Sequence, residues 1–390
     1  MANLRITFWG IQGSCPVFPT PGEVDDYTRR MARHSVERTL HDIADRLERG
    51  ECTPDDLRKL AGPDAVGEYQ KTLGLPALPI YGGDTTCIEV RTGDGHTLLF
   101  DLGTGLLGFS AHALSTWPAV GDRTIHVFAS HEHLDHRSGL PFAAICFERR
   151  APFTLHIHGT REYLSVLDER YGLFSRTVAP GMHVDDPLDY SMFAANFPGA
   201  ELHNPRDVSA ARPPGEPSPW AMHDINQPIH VGNTHISAFE VYHGLTRCLA
   251  YQVRHGNATF VFCTDHELRH GPGAADPRQL RSLEAERRLI ERCQNADVAY
   301  FDGQYLLAEY LGQKPIGAAP PTPRMDWGHG CVEDIVERVE RCRIARAYIG
   351  HHDPDRPWSA RMDLDRLVQD ACAGKPYQIQ LAQAGAVIEI

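Results

Sequence analysis

Three imidazoles and two carboxylates fall within six residues at His131-Glu132-His133-Leu134-Asp135-His136. Buried without partners, each such polar group would cost roughly 1 to 3 kcal/mol, so packing alone gives no reason for the cluster. Metal binding does. Zinc favours imidazole nitrogen and carboxylate oxygen, and a catalytic site keeps one position open for water. His131 and His133 stand two apart and Asp135 and His136 continue the same turn, so two ligands can face one ion and two its neighbour.

The remaining ligands come from a repeated local pattern in which an apolar, β-branched run stops and a metal-capable residue follows. Thr124 to Ser130 leads into His131, Ile236 to Tyr242 into His243, Phe260 to Thr264 into Asp265, and Ala345 to Gly350 into the adjacent pair His351 and His352. With about seven ligands, two ions roughly 3.5 to 4 Å apart could share a carboxylate, and Asp265 is the natural bridge. The chain has 22 histidines, so position and spacing carry this reading and number does not.

Strands that share a sheet would bring these ends to one edge, where α/β proteins place their sites. Short apolar strands alternate with amphipathic helices along most of the chain, which predicts an α/β fold; Val332, Ile335, Val336 and Val339 form the cleanest helical stripe. Two segments interrupt the pattern. Residues 22–76 contain Met31, Val36, Leu40, Ile43 and Leu47 at helical spacing and a second helix start at Thr53-Pro54-Asp55-Asp56, which reads as a helical insertion serving as lid or interface. Residues 193–228 carry seven prolines without a sustained period and read as a long surface loop.

The 390 residues, 42% hydrophobic, can bury a large core. No run approaches the roughly 20 apolar residues of a membrane helix, and the first residues, MANLRITF, lack a secretory pattern, so the expectation is a cytoplasmic protein without a membrane partner. Ten cysteines without C-x-x-C spacing suit buried reduced thiols. A net charge of −13 and the lack of any strongly basic cluster argue against long nucleic acids as partners.

The strand followed by H-x-H-x-D-H resembles the metallo-β-lactamase superfamily. Phe8-Trp9-Gly10-Ile11-Gln12-Gly13-Ser14-Cys15-Pro16, Tyr81-Gly82-Gly83-Asp84-Thr85-Thr86-Cys87, Phe100-Asp101-Leu102-Gly103-Thr104-Gly105 and Trp327-Gly328-His329-Gly330 are similar to the branch holding ribonuclease Z and the small phosphodiesterases. The resemblance covers nearly the whole chain and implies one domain, 1–390, a four-layer αββα sandwich. It implies that one metal takes His131, His133 and His243, the other Asp135, His136 and His351, with Asp265 between them and Asp101 supporting the turn. It favours His351 over His352 as the last ligand, and two zinc ions as cofactors, with manganese or iron as alternatives. Asp135, His329 and Asp302 would be the catalytic residues. Gly330 stands where the branch usually has serine, so that hydroxyl is absent.

These implications predict metal-assisted hydrolysis of a phosphodiester, with His329 assisting the departing alkoxide. The region between His136 and His243 has no lysine, so a small substrate such as a cyclic nucleotide or cyclic phosphate fits better than tRNA. The alternatives are a lactone or thioester hydrolase of the same fold, or a sensor that binds a ligand at the metals without turnover. A homodimer formed through 22–76 is the expected assembly if that segment is an interface.

Overall fold

The structure is a computed structural model and describes residues 2–60, 65, 68–69, 73, 80–174, 193–205, 218–271 and 276–390. The chain forms two compact units, Met1–Val17 with Tyr81–Ile390, and Phe18–Ile80.

In the larger unit the strands, in chain order, are β1 (Leu4–Gly10), β2 (Cys87–Thr92), β3 (Thr97–Phe100), β4 (Thr124–Phe128), β5 (Thr154–Gly159), β6 (Gly199–His203), β7 (Ala221–Asp224), β8 (Ile229–Val231), β9 (Thr234–His243), β10 (Thr246–His255), β11 (Ala258–Cys263), β12 (Val298–Asp302), β13 (Arg346–Gly350), β14 (Gln378–Leu381) and β15 (Val387–Glu389). They build two sheets, ordered β15-β1-β2-β3-β4-β5-β6-β7 and β14-β13-β12-β11-β10-β9-β8. The first is antiparallel up to β3 and parallel from β3 to β7. The second is antiparallel from β8 to β11 and parallel from β11 to β14.

Alternation along the strands sorts side chains into three apolar layers. Ile6, Phe8, Val90, Leu98, Phe100 and Phe128 meet Ile236, Leu249, Tyr251, Phe260 and Phe262 between the sheets. Ile125, Val127, Leu155 and Ile157 point the other way, onto Phe109 of the helix Leu106–Thr116 and onto Leu164 and Leu167 of the helix Arg161–Tyr171. Val261, Phe301 and Ile349 likewise pack on Leu289, Ile335, Val339 and Leu364 of the helices Pro277–Cys293, Val332–Cys342 and Trp358–Ala371. Helix, sheet, sheet, helix is therefore the layering, as anticipated. Phe100, with ring centroids 5.1 to 5.9 Å from Phe128, Tyr251, Phe260 and Phe262, sits at the centre of the inter-sheet layer. Truncating such a ring to alanine typically costs about 3 to 5 kcal/mol.

The smaller unit contains the helices Pro21–Glu48 and Pro54–Leu60. The first begins ahead of the stretch whose apolar spacing marks it, because Thr20 and Glu23 form a capping box with Pro21 as the first helical residue. It holds no buried residue, and Val36, Leu40 and Leu47 of its apolar stripe are exposed. Ion pairs Arg29–Asp25, Arg30–Asp26 and Arg33–Glu37 at 2.8 to 2.9 Å line its surface. Thr53 caps the second helix through Asp56 N–H at 3.3 Å. Part of 22–76 lies outside the described residues.

The segment 193–228 departs from the surface loop read in the sequence. Residues 206–217 fall outside the description, but β6 and β7 lie within the segment and extend the first sheet at its edge. Strands of five and four residues are too short to show a period among prolines.

Candidate metal centre

The parallel strands β11, β12 and β13 run in register, Cys263 beside Phe301 and Asp302 beside Gly350, so their C-terminal ends reach one edge together. Asp265, Asp302 and His351 stand there. From the first sheet, β4 ends at Phe128 and the chain turns through Ser130 into a one-turn helix, Leu134–His136. The antiparallel β9 ends in His243. The four strand ends singled out in the sequence are thus brought to one place.

Asp265 lies at the middle. Its Oδ2 is 3.5 Å from His131 Nε2 and 3.6 Å from His243 Nε2. Its Oδ1 is 3.4 Å from His136 Nε2 and 3.2 Å from His351 Nε2. His133 Nδ1 completes the first group, 3.1 Å from His243 Nε2. Asp135 Oδ2 completes the second, 3.3 Å from the Nε2 atoms of both His136 and His351. His131, His133, His243 and Asp265 form one set able to hold a metal ion, and Asp135, His136 and His351 form another.

Surrounding groups fix each ring's orientation. Asp101 Oδ2 accepts from His136 Nδ1 at 2.7 Å and from Ser130 Oγ at 2.8 Å, while Ser130 N–H donates to Asp101 Oδ1 at 2.7 Å. Since the Ser130 hydroxyl proton goes to Asp101, its oxygen accepts from His131 Nδ1 at 3.0 Å. His243 Nδ1 donates to Gly328 O at 2.8 Å and His351 Nδ1 to Gln304 Oε1 at 3.1 Å. Four rings therefore turn Nδ1 outward and Nε2 to the centre, the orientation a metal ligand needs. His133 is reversed, with Nε2 3.3 Å from Thr246 Oγ1 and Nδ1 inward.

The donor set fits a metal on a direct observation: the buried Nε2 atoms of His131 and His136 have no hydrogen-bond partner and face the same space as Asp265. Nitrogen and oxygen donors in this ratio suit zinc, manganese or iron. The electrostatics is that of a cation site. Burial alone would neutralise the rings, and it does hold His131 well below the usual range and His243 at about 3. At His136 the carboxylates of Asp135, Asp265 and Asp101 outweigh burial and hold the ring protonated far above its usual range, and Asp265 and Asp135 help push His351 up to about 9. Asp265 in turn is held well below the carboxylate range: burial would raise it, but His351, His136 and His131 outweigh that.

Backbone strain collects here too. Asp101, Asp265 and His351 have left-handed φ values of 61, 48 and 54°. Each costs about 1 to 3 kcal/mol and persists only where its surroundings enforce it; His351 N–H is held by Ile11 O at 2.8 Å.

Beside the second set, His329 Nδ1 lies 3.0 Å from Asp302 Oδ2 and its ring stacks on His351 with centroids 4.9 Å apart. Asp302 also accepts from Gly330 N–H and Gln304 N–H. The glycine at 330 has a steric reason, since a Cβ there would come 2.5 Å from Asp302 O. His352 stays outside: its buried ring has no hydrogen-bond partner, and burial together with Arg361 and Arg356 keeps it neutral.

No family model and no curated protein sequence matches the chain. Solved structures do match, over the whole chain. The Bacillus subtilis protein YhfI, described as a metallo-beta-lactamase fold protein, is 14% identical with a TM-score of 0.50 over 99% of both chains. The chain has the metallo-β-lactamase fold. The short form of human tRNase Z shares that fold at 14% identity and TM-score 0.51 over 99% of both chains, as does yeast PDE1 at 12% identity and TM-score 0.54 over all of both chains. Among the described residues of this metallo-β-lactamase fold, no helix is long and apolar enough to cross a membrane.

The sequence did not single out Glu267 or Gln304. Glu267 is buried and accepts from the N–H groups of Asp326 and Gly328 at 2.9 and 2.8 Å, which fixes the loop carrying Gly328 O to His243. Gln304 orients His351. The one available signal was their closeness in sequence to Asp265 and Asp302.

Proposed function

We propose that this protein is a metal-dependent hydrolase acting on a small phosphodiester, with two metal ions, zinc in the first instance. The observation that carries the reading is the division of the Asp265 carboxylate, one oxygen toward His131 and His243 and the other toward His136 and His351. A carboxylate shared by two ligand sets suits a pair of ions. His131, His133 and His243 would hold one and Asp135, His136 and His351 the other, with Asp265 between them. Ions so held would polarise a phosphoryl oxygen and lower the pKa of water to near neutrality.

The chain's own groups do the rest. Asp101, Gly328 O and Gln304 keep the ligand rings turned inward, so little reorganisation accompanies binding. His329, held at Nδ1 by Asp302, would offer Nε2–H to the departing alkoxide as the P–O bond breaks, and would recover its proton from solvent. Fold neighbours named tRNase Z and PDE1 support a phosphodiester over an acyl substrate. The absence of lysine between His136 and His243, together with the charge of −13, supports a small one over tRNA.

The test compares zinc- or manganese-loaded protein on bis(p-nitrophenyl) phosphate with a chromogenic lactone and thioester. Cleavage of the diester alone supports the reading; cleavage of the acyl substrates alone assigns the protein to lactone or thioester hydrolysis. Binding of phosphate esters with no turnover of any of the three would make it a sensor.

A further inference from the structure

Large apolar side chains stand exposed within two residues of three site histidines. Leu134 follows His133 and is 63% exposed, Leu245 lies two residues after His243 and is 86% exposed, and Trp327 lies two residues before His329 and is 50% exposed. The histidines themselves are close, with His133 and His243 nitrogens 3.1 Å apart and the His243 and His329 rings 5.3 Å apart between centroids. The three apolar residues therefore stand on chain segments that converge on one centre.

Trp327 is built into position. The guanidinium of Arg324 lies 4.7 Å from its ring centroid and 5.2 Å from that of Tyr305, whose ring is edge-on to His329 at 6.1 Å. Arg324 is buried and lies 3.6 Å from Asp353. The loop below is tied by Glu267 to Asp326 and Gly328 on either side of Trp327. An indole backed on one face by a buried cation and half-exposed presents its remaining surface as a rigid stacking platform.

Three nearby arginines offer little to additional phosphates, because they are already neutralised. Arg247 pairs with Glu240 at 2.9 Å, Arg278 with Asp326 at 3.0 Å, and Arg269 with Asp276 at 2.7 Å and Asp326 at 2.8 Å. A polyphosphate would meet an acidic protein in which these three cations are already paired.

Resting on the phosphodiesterase reading above, we infer that the substrate is a singly charged phosphodiester whose retained ester arm is planar aromatic or apolar and packs on Trp327, with Leu134 and Leu245 beside it. A stacked aromatic arm should raise kcat/KM about tenfold over an arm that reaches no platform.

The experiment holds the leaving group constant. Methyl, phenyl and naphthyl p-nitrophenyl phosphates are compared on zinc-loaded protein, with calorimetric binding of phenyl phosphate against methyl phosphate as a second readout independent of turnover. Aryl arms are expected to exceed methyl by about tenfold in kcat/KM and phenyl phosphate to bind about tenfold tighter. Trp327→Ala should bring the aryl esters down to the methyl ester, whereas Trp327→Phe should retain most of the preference. Equal rates for methyl and phenyl esters, or a preference that survives Trp327→Ala, would overturn the inference. Should no diester be cleaved, the phosphodiesterase reading fails first. The two monoesters then decide the platform: tighter phenyl binding that is lost in Trp327→Ala supports it, and equal binding removes it.

Discussion

His243 Nδ1 donates to the carbonyl of Gly328 at 2.8 Å, across 85 residues of chain. Gly328 has a φ of +90°, and a Cβ built on it would overlap that same nitrogen. The glycine thus lets the loop bearing His329 close directly onto a candidate ligand of the other group. Gly328→Ala should displace the His243 ring and remove one metal equivalent, measured by elemental analysis after dialysis, with kcat reduced at least about 100-fold. Full metal content with unchanged kcat would mean that the contact does not position His243.

Asp101 should act through His136. It is fully buried and takes His136 Nδ1–H, Ser130 N–H and Ser130 Oγ–H. An amide at this position retains the shape but replaces one acceptor oxygen by a donor, which opposes either Ser130 N–H or both the ring and the hydroxyl. Asp101→Asn should weaken metal affinity by about 10- to 100-fold. Competition with a chromogenic chelator measures this, and an affinity within twofold of the native protein would exclude the role.

His329 separates from the ligands in a different way. Its Nδ1 faces Asp302 at 3.0 Å and lies 3.8 Å from Asp265. Replacing His329 by Ala should leave metal content intact and lower kcat by about 10² to 10⁴ on a substrate with an alkoxide leaving group. With p-nitrophenolate, which needs little protonation, the loss should be much smaller. Equal losses for both leaving groups would assign His329 to binding instead of proton transfer.

Legibility in the sequence followed the range of the interactions. The candidate ligands from His131 to His136 are local, so their spacing alone marks them. His243, Asp265 and His351 are visible as strand ends, but that they converge depends on the register of β11, β12 and β13, which no single strand encodes. The choice between His351 and His352 is of the same kind: the left-handed φ of 54° at His351 swings its ring to Asp135 and Asp265, and the next ring is buried against Arg356 and Arg361. Glu267 was illegible because it works on backbone amides about 60 residues away, and backbone amides leave no trace in residue type. β6 and β7 were hidden by shortness among prolines.

The inter-sheet face of β4 and β5 carries an unusual stack. Phe128 and His158 lie 4.8 Å apart and nearly parallel, His158 and His126 6.0 Å apart, and His126 and His156 5.2 Å apart. Both ring nitrogens of His158 are buried without partners. Burial, reinforced by neighbouring histidines, pushes His158 down to about 3 and His126 to about 4; Asp122 offsets this slightly at His126, and burial also lowers His156. The other groups facing them are His96 and His223. The unfolded chain takes up these protons near pH 6.5 and the folded one does not. Their contribution to stability is therefore complete above about pH 6.5 and falls as pH drops toward the folded values, with a slope of up to about 1.4 kcal/mol per pH unit for His158. Below about pH 3 the loss from His158 is complete. His158→Phe, which keeps a flat ring against Phe128 and carries no proton, should shift the urea midpoint little at pH 7.5 and raise it relative to the native protein at pH 5 and 4.5. Measuring the difference between variant and native protein cancels acid effects at the metal centre. Parallel midpoint-against-pH curves for the two would show that His158 does not carry the acid sensitivity.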